Sequence, residues 1–471
     1  MEAKKPFFIT TPIYYANGLP HIGHAYTTVA ADVVARAKRL TGQEVIFSTG
    51  TDEHGAKIAE KALLEGKNPQ EFVDGIAKAF EELWKRLDIS HDHFIRTTDA
   101  QHKNVVTNVL TFLYDKGAIY KGEYEGLYCV GCEQFKMESD LVGGKCPDHN
   151  RIPEKMVEES YMLKMTEYQE ALIQKIESDE LCIRPVKYKK EILSFLKGQK
   201  LEDISLSRKN VAWGIPLPFD ETHTTYVWVD AFLNYLTVLG WDGKSEMPQT
   251  WPADVQFIGK DILRVHATIW QILLLHLGFP VTKTLFTHGH ILSGGKKMSK
   301  TLGNVISIDE MLETFGVDGT RYLLLSGGTF GEDMDLTPER MKEKYNADLA
   351  NGLGNLVSRV LKLSERLQGR YEPGPGVALS SPYIECMENI ELSQALELVF
   401  ARMKQANEYM SQEEPWKLAG VDQERFEKVI RVILADLEII AFSLNPFLPE
   451  TAKKIQTALR EGKTDPLFQR I

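Results

Sequence analysis

At 471 residues the chain is too long for one ordinary hydrophobic core, and a soft prior of about 100–200 residues per domain gives three or four domains. Hydrophobic residues make up 43% and charged residues 26%, the balance of a soluble globular protein, and no apolar run approaches the ~18 residues of a membrane span. The formal net charge of −11 excludes an even positive coat for indiscriminate nucleic-acid binding but leaves room for a local basic face, and five cysteines are too few for a disulfide scaffold.

Residues 1–9 run from Met1 through Lys5 and Pro6 straight into Phe7, Phe8 and Ile9, without a signal or transit pattern, so a cytoplasmic location and no membrane partner are expected. Residues 7–10 are a strand candidate, followed by a loop, a helix and a second strand at 45–48, the order of a nucleotide-binding α/β domain. The helix covers residues 23–40, which lack proline and carry Val29, Val33, Ala37 and Leu40 on one face. From about 118 to 220 the chain turns to short segments with clustered cysteines and glycines, as an insertion would. The α/β pattern then resumes. Residues 226–235, 255–259 and 285–289 are strand or strand-edge candidates, and 262–277 is a helical run. Beyond about 346 the pattern is nearly all helical. Leu349, Leu353, Leu356, Val360 and Leu363 step by three and four, residues 426–444 form another apolar helix before Pro446, and the Gly-, Pro- and Ser-rich stretch 369–382 is a loop.

Four stretches carry chemistry. Pro20, His21, Ile22, Gly23 and His24 lie between a strand and a helix start, where exposed N–H groups hold an anion, glycine admits a flat ligand and two imidazoles can donate to a phosphate. Gly294 and Gly295 lead Lys296, Lys297 and Lys300, mobile ammonium groups on a glycine hinge that suit a polyphosphate leaving group. Alone, the histidine motif reads equally well as a solvated loop, and the lysine segment reads better as a basic surface loop. Cys129, Cys132, Cys146 and His149 make a CxxC followed by a CxxH, the spacing of a closed tetrahedral structural zinc site, while Cys182 and Cys386 lack partners at metal spacing and are expected to be buried thiols. In the helical region Asn355 and Arg359 are i, i+4 neighbours and Trp416 follows Pro415. An amide, a guanidinium and a stacking ring suit unpaired bases, with Arg340, Lys342, Lys344, Lys362, Arg366 and Arg370 adding charge for an RNA backbone.

The pair HIGH (21–24) and KMSKT (297–301) resembles the two signatures of class I aminoacyl-tRNA synthetases, with threonine where the family has serine. Within that class the chain is similar to the methionyl-tRNA synthetase family over essentially its whole length. TPIYYANGLPHIGH (11–24), GTDEHG (50–55), YVWVDAFLNY (226–235), FIGKDILRVHATIW (257–270) and KMSKTLGN (297–304) carry the likeness. The resemblance implies an α/β fold: a Rossmann-like parallel-sheet catalytic domain split by a zinc-knuckle insertion, then an all-α bundle. Its expected parts are 1–117 and 225–280 for the two catalytic halves, 118–224 for the insertion, 281–345 for a stem-contact region with the lysine loop, and 346–471 for an anticodon-binding bundle.

The resemblance also implies roles. His21, His24, Lys297 and Lys300 would be catalytic, with Gly23, Gly259, Asp261 and Lys300 at ATP. Ile13, Tyr15, Trp228, Ala231, Tyr235, Ile262 and His266 would line a methionine pocket in which Asp52 receives the ammonium. Phe232 stands where some relatives have proline and is left out. Aromatic and aliphatic walls suit a polarizable thioether, and because an apolar pocket separates homologues by only about 1–3 kcal/mol per methylene, Tyr15 and His266 help to read the sulfur. The expected reaction is ATP-dependent activation of L-methionine as its adenylate and transfer to the 3′ end of methionine tRNA, initiator included. One structural Zn²⁺ and Mg²⁺ with ATP would take part, in a monomer. His24 and Lys297 lie 273 positions apart, which leaves no room for the editing insertion of leucine, isoleucine or valine enzymes. A small-molecule nucleotidyltransferase would need no helical bundle, and the intact histidines and lysines argue against a non-catalytic tRNA-binding protein.

Overall fold

The computed structural model describes residues 5–131, 134–136, 141–209, 211–298, 304–374, 376–463 and 465–471; Cys132 and Lys300 lie outside the described residues. Two compact units emerge, one built from Met1–Leu19, Ile46–Glu82 and His91–Thr287, the other from Pro20–Val45, Leu83–Ser90 and His288–Ile471.

The first unit is organised by a six-stranded sheet in the order His93–Arg96, Val45–Asp52, Phe7–Tyr15, Val255–Gly259, Thr284–His288, Cys182–Arg184. Ile9 pairs with Val255, Ser48 with His93 and Leu285 with Ile183, all in parallel. Strands buried on both faces read as near-continuous apolar runs, and six of the nine residues of Phe7–Tyr15 are buried. This strand extends to Tyr15, past the expected end at Thr10, and carries Pro12 beyond its Ile9 and Thr10 register with Val255–Gly259. Strand order reverses between Phe7–Tyr15 and Val255–Gly259, the crevice where open α/β sheets take ligands at their C-terminal ends. Phe8, Trp251, Trp270, Ile258 and Leu273 are among the fully or almost fully buried side chains of one apolar core beside the sheet.

Residues 226–235 depart from the expected strand and form the short helices Val227–Phe232 and Asn234–Thr237. Val229, Ala231, Phe232, Leu233, Tyr235 and Leu236 are all buried, so burial on every side erases the periodicity that distinguishes helix from strand. The run 262–277 is helical as expected, with a π turn at His266–Trp270 and a left-handed Gly278 closing it. The insertion holds an antiparallel sheet in the order Gln134–Lys136, Ile119–Cys129, Glu154–Leu163, Ile204–Ser205, yet Cys182–Arg184, inside the same expected range, returns to edge the core sheet.

In the second unit the helix Ile22–Leu40 is joined by Ile308–Ser326 and by bundle helices that include Asn355–Ser364, Leu392–Glu413, Gln423–Leu444 and Pro449–Glu461. Leu349, Leu353, Leu356 and Val360 are buried as expected, whereas Leu363 is half-buried and Leu361 takes the inward place. The expected loop 369–382 stops at Ser380, because Ser381–Glu388 is a helix with Pro382 in its first turn. Cys182 and Cys386 are half-buried, not buried. No helix among the described residues is long and apolar enough to cross a membrane.

Candidate active site

In the first unit the C-terminal ends of neighbouring strands carry Ile13 and Tyr15, Asp52, and Gly259. Ala16 N donates to the Asp52 carbonyl at 2.8 Å, tying the first two ends together. Beyond Gly259 the chain turns, with Asp261 exposed and Ile262 N donating to Gly259 O at 3.1 Å.

Trp228, Tyr235 and His266 meet there. The His266 ring lies edge-on to Trp228, with centroids 6.2 Å apart, and its Nε2 is 3.0 Å from the Tyr235 hydroxyl. Its Nδ1 stands 2.9 Å from the Ile262 carbonyl, a group that only accepts, so Nδ1 carries the proton and Nε2 accepts from tyrosine. Burial lowers His266 to about 4, with the Ile262 carbonyl and Asp261 opposing, which keeps the ring neutral at physiological pH. Ala231 is 5% exposed in the same helix as Trp228. Burial, with Tyr14 nearby, pushes the Tyr235 phenol up.

Phe232 belongs to this cluster although sequence reasoning omitted it. Its ring is edge-on to His266 at 4.9 Å and stacked with Trp270 at 5.8 Å. Helical spacing to Trp228 is the signal that a strand assignment concealed.

A second omission is a buried acid. Asp230 Oδ2 accepts from His54 Nδ1 at 2.6 Å and Oδ1 from His102 Nε2 at 2.8 Å. Burial alone would raise its carboxyl, but the two imidazoles hold it down at about 2. An acid in the otherwise apolar VWVDAF was the available signal.

In the second unit His21 caps the helix Ile22–Leu40. Its Nδ1 accepts from Gly23 N at 3.1 Å, and His24 Nδ1 accepts from His21 N at 3.2 Å, a capping box built from imidazoles. Both accepting nitrogens are Nδ1, so each neutral ring carries its proton on Nε2. Burial and the neighbouring His21 hold His24 well below the ordinary histidine value. A Cβ at Gly23 would come within 3.0 Å of the His21 ring, so glycine here allows the imidazole itself to fold over the backbone.

The lysine segment is a hairpin. Ile291–Ser293 pairs with Lys296–Lys297, and Gly294 and Gly295 form its tip at φ +61° and +72°. Positive φ at both central residues is the two-residue turn that suits glycine, and Lys297 is exposed on the outgoing strand. Thr27 on the histidine helix lies 2.7 Å from His288, just before this hairpin.

Ligand atoms of Cys129, Cys146 and His149 all lie within 4.8 Å of one another. Both cysteines are buried, at 2% and 0% exposure, and a Cβ at Gly131 would stand 2.4 Å from the His149 ring. These three donors therefore converge as a metal requires, with glycine making the room.

On the bundle, the Arg359 guanidinium lies 5.6 Å from the centre of the Trp416 ring, and Trp416 is 41% exposed. Asn355 is exposed one turn before Arg359. Of the expected basic face, Arg340, Lys344 and Lys362 are paired with Asp335, Asp348 and Glu365 at 3.0, 3.0 and 2.8 Å.

A family described as tRNA synthetases class I (M) matches residues 7–155 and 148–361, and one described as the anticodon binding domain of methionyl tRNA ligase matches 378–468. A methionine–tRNA ligase of Caldanaerobacter subterraneus is 43% identical, with 96% of this chain and 73% of the relative covered. The chain belongs to the methionine–tRNA ligase family. It is an aminoacyl-tRNA ligase. The Clostridium perfringens methionine–tRNA ligase is 44% identical over 98% of this chain and 74% of its own length. A solved Mycobacterium tuberculosis methionyl-tRNA synthetase in complex with methionyl-adenylate superposes with a TM-score of 0.88 at 34% identity, covering 96% of this chain and 93% of that one.

Proposed function

We propose that in this methionine–tRNA ligase Asp52 holds the substrate ammonium while Ile13, Tyr15, Trp228, Ala231, Tyr235, Ile262 and His266 hold the side chain. The observation that carries this reading is the Tyr235–His266–Ile262 chain of hydrogen bonds at the edge of the Trp228 aromatic wall. A neutral imidazole whose tautomer is fixed makes a polar end to an apolar pocket without a charge that a thioether would fail to satisfy. Phe232 backs the wall.

ATP enters as its Mg²⁺ complex, with Gly23, Gly259 and Asp261 at the adenosine portion. The methionine carboxylate oxygen attacks the α-phosphorus, a new P–O bond forms, and pyrophosphate leaves with the electrons of the broken bond. No protein nucleophile is needed. His21 and His24 donate to phosphate oxygens as negative charge grows, while Lys297 and Lys300 neutralise the leaving pyrophosphate. In the second step a hydroxyl of the terminal tRNA adenosine attacks the methionyl carbonyl and AMP departs.

Cys129, Cys132, Cys146 and His149 would hold one zinc ion, which fixes the insertion and takes no part in the chemistry. Asn355, Arg359 and Trp416 would read the anticodon of methionine tRNAs, initiator included. A monomer working in the cytoplasm completes the proposal.

Exchange of pyrophosphate into ATP, measured with each amino acid in turn, tests the specificity. Methionine is expected to drive it best, with Trp228→Ala and Asp52→Asn raising the methionine KM. Equal exchange with leucine or isoleucine would overturn the pocket assignment.

A further inference from the structure

The carboxylate of Asp230 is an expensive thing to bury. It is 1% exposed in a helix whose neighbours Val229, Ala231 and Phe232 pack as core, and a charge in such a place survives only with full hydrogen bonding. Apolar residues would fill the same space at less cost, so a geometric role explains its presence better than stability does.

Its partners point to that role. His54 and His102 are 3% and 0% exposed, and His102 Nδ1 lies 3.2 Å from Thr237 Oγ1, which fixes this ring from its other side. His54 stands two residues beyond Asp52, in a loop pinned at every position after it. Glu53 accepts from Arg96 Nε and Nη2 at 2.7 and 2.9 Å, its N–H donates to Thr97 Oγ1 at 2.9 Å, and its carbonyl accepts from Trp213 Nε1 at 2.6 Å. Gly55 N donates back to Trp213 O at 3.0 Å. Through this loop the second strand of the core sheet is braced, and His54 connects it to the Asp230 helix by a charge-assisted bond of 2.6 Å.

We infer that Asp230 is a positioning residue for amino-acid selection: with His54 it fixes the separation between the carboxylate of Asp52 and the aromatic wall of Trp228 and Ala231, and so sets the side-chain length the pocket accepts. The inference rests on the methionine-pocket assignment above. An apolar wall alone discriminates weakly between homologues that differ by one methylene, and rigid spacing between an ammonium anchor and that wall converts a length difference into misplacement of the reacting carboxylate. Asp230 touches no substrate in this scheme. It acts through His54.

The test is pyrophosphate exchange with methionine and with its S-ethyl homologue, ethionine, in His54→Ala, His54→Asn and Asp230→Asn. Asparagine can present its amide nitrogen where His54 presents Nδ1, so His54→Asn restores the donor that His54→Ala removes. Expected for His54→Ala and Asp230→Asn is a methionine KM raised about tenfold or more, an ATP KM within about twofold, and a methionine-to-ethionine preference lowered by a similar factor, with His54→Asn near the parent on all three. A purely structural role would lower the melting temperature and kcat with both amino acids alike and leave the preference unchanged, which overturns the inference. Should Asp230→Asn not fold, the two His54 variants decide it. Unchanged methionine KM and preference in His54→Ala, alongside a raised methionine KM in Trp228→Ala, sinks this inference and leaves the pocket standing. If neither Trp228→Ala nor Asp52→Asn alters methionine KM, the pocket assignment itself fails and the inference falls with it.

Discussion

Arg321 and Asp32 form an ion pair at 2.7 Å in which neither side chain has any exposure. Asp32 lies on the helix that opens with His21 to His24, and Arg321 on Ile308–Ser326, the helix that follows the lysine segment. Arg321 also donates to the carbonyls of Phe447 at 2.8 Å, Leu87 at 3.1 Å and Pro446 at 3.1 Å, and Asp32 accepts from Ser90 N, Ser90 Oγ and Arg36 Nε. Burial would raise the Asp32 carboxyl, yet Arg321 and Arg36 bring it below its ordinary value. The pair therefore joins the two motif helices, the 83–90 segment and the turn between the last two bundle helices within one unit.

Removing Arg321 takes one of two cations from the buried Asp32, which keeps Arg36 at 2.7 Å, and leaves the carbonyls of Phe447, Leu87 and Pro446 without this donor. Arg321→Met is expected to cost about 3–5 kcal/mol in urea unfolding, and adding Asp32→Asn to it should recover part of that loss. Losses that simply add in the double variant would mean that the two groups are not coupled as the geometry states.

Acid should weaken the fold through His266. Its folded value is about 4 against 6.5 for the ordinary imidazole, so the unfolded chain binds the extra proton between those limits. Stability tied to this group is complete above about pH 6.5 and drains away as pH falls toward 4, roughly 3 kcal/mol in all. Urea midpoints across that range, compared with those of His266→Gln, check the sign: the variant should show a shallower decline. A steeper one contradicts the burial argument.

How much of this was legible beforehand depends on what each residue is bonded to. The histidine helix could be read because Val29, Val33 and Ala37 repeat on one face and His21 sits at a cap, both local signals. Residues 226–235 could not, because aromatic and β-branched content favours a strand while burial of all but Val227 and Trp228 hides the helical period, and that misreading also concealed Phe232. Asp230, His54 and His102 come from three distant stretches, and nothing local marks them as partners. The same holds for Asp32 and Arg321, which are 289 positions apart. Cys129, Cys146 and His149 were legible because metal ligands come from short turns of recognisable spacing.

The knuckle gives a metal prediction that turns on a residue which binds nothing. Metal analysis of the purified protein should find one zinc per chain. In Gly131→Ala the new methyl would sit 2.4 Å from the His149 ring, so the imidazole must move and zinc should be lost or held more weakly against a chelator. Full zinc retention by that variant would exclude His149 as a ligand. Loss of a structural ion held there should appear first as a lower unfolding temperature, before any change in methionine KM.

On the proposed anticodon reading, variants at Trp416 and Arg359 should separate RNA recognition from amino-acid chemistry. A half-exposed indole beside a guanidinium offers a face on which a base can stack, and base stacking on an aromatic side chain contributes about 1–3 kcal/mol. Trp416→Ala or Arg359→Ala should therefore raise the KM for tRNA by roughly 5- to 150-fold in aminoacylation. Methionine-dependent pyrophosphate exchange without tRNA should not change, since no base takes part in it. Arg366→Ala provides the contrast: a phosphate-facing charge should lose its effect as salt rises, whereas the stacking loss at Trp416 should persist. A Trp416→Ala protein with impaired exchange would instead mark the indole as part of the fold, and a salt-sensitive loss at Trp416 would argue that charge, not stacking, governs binding there.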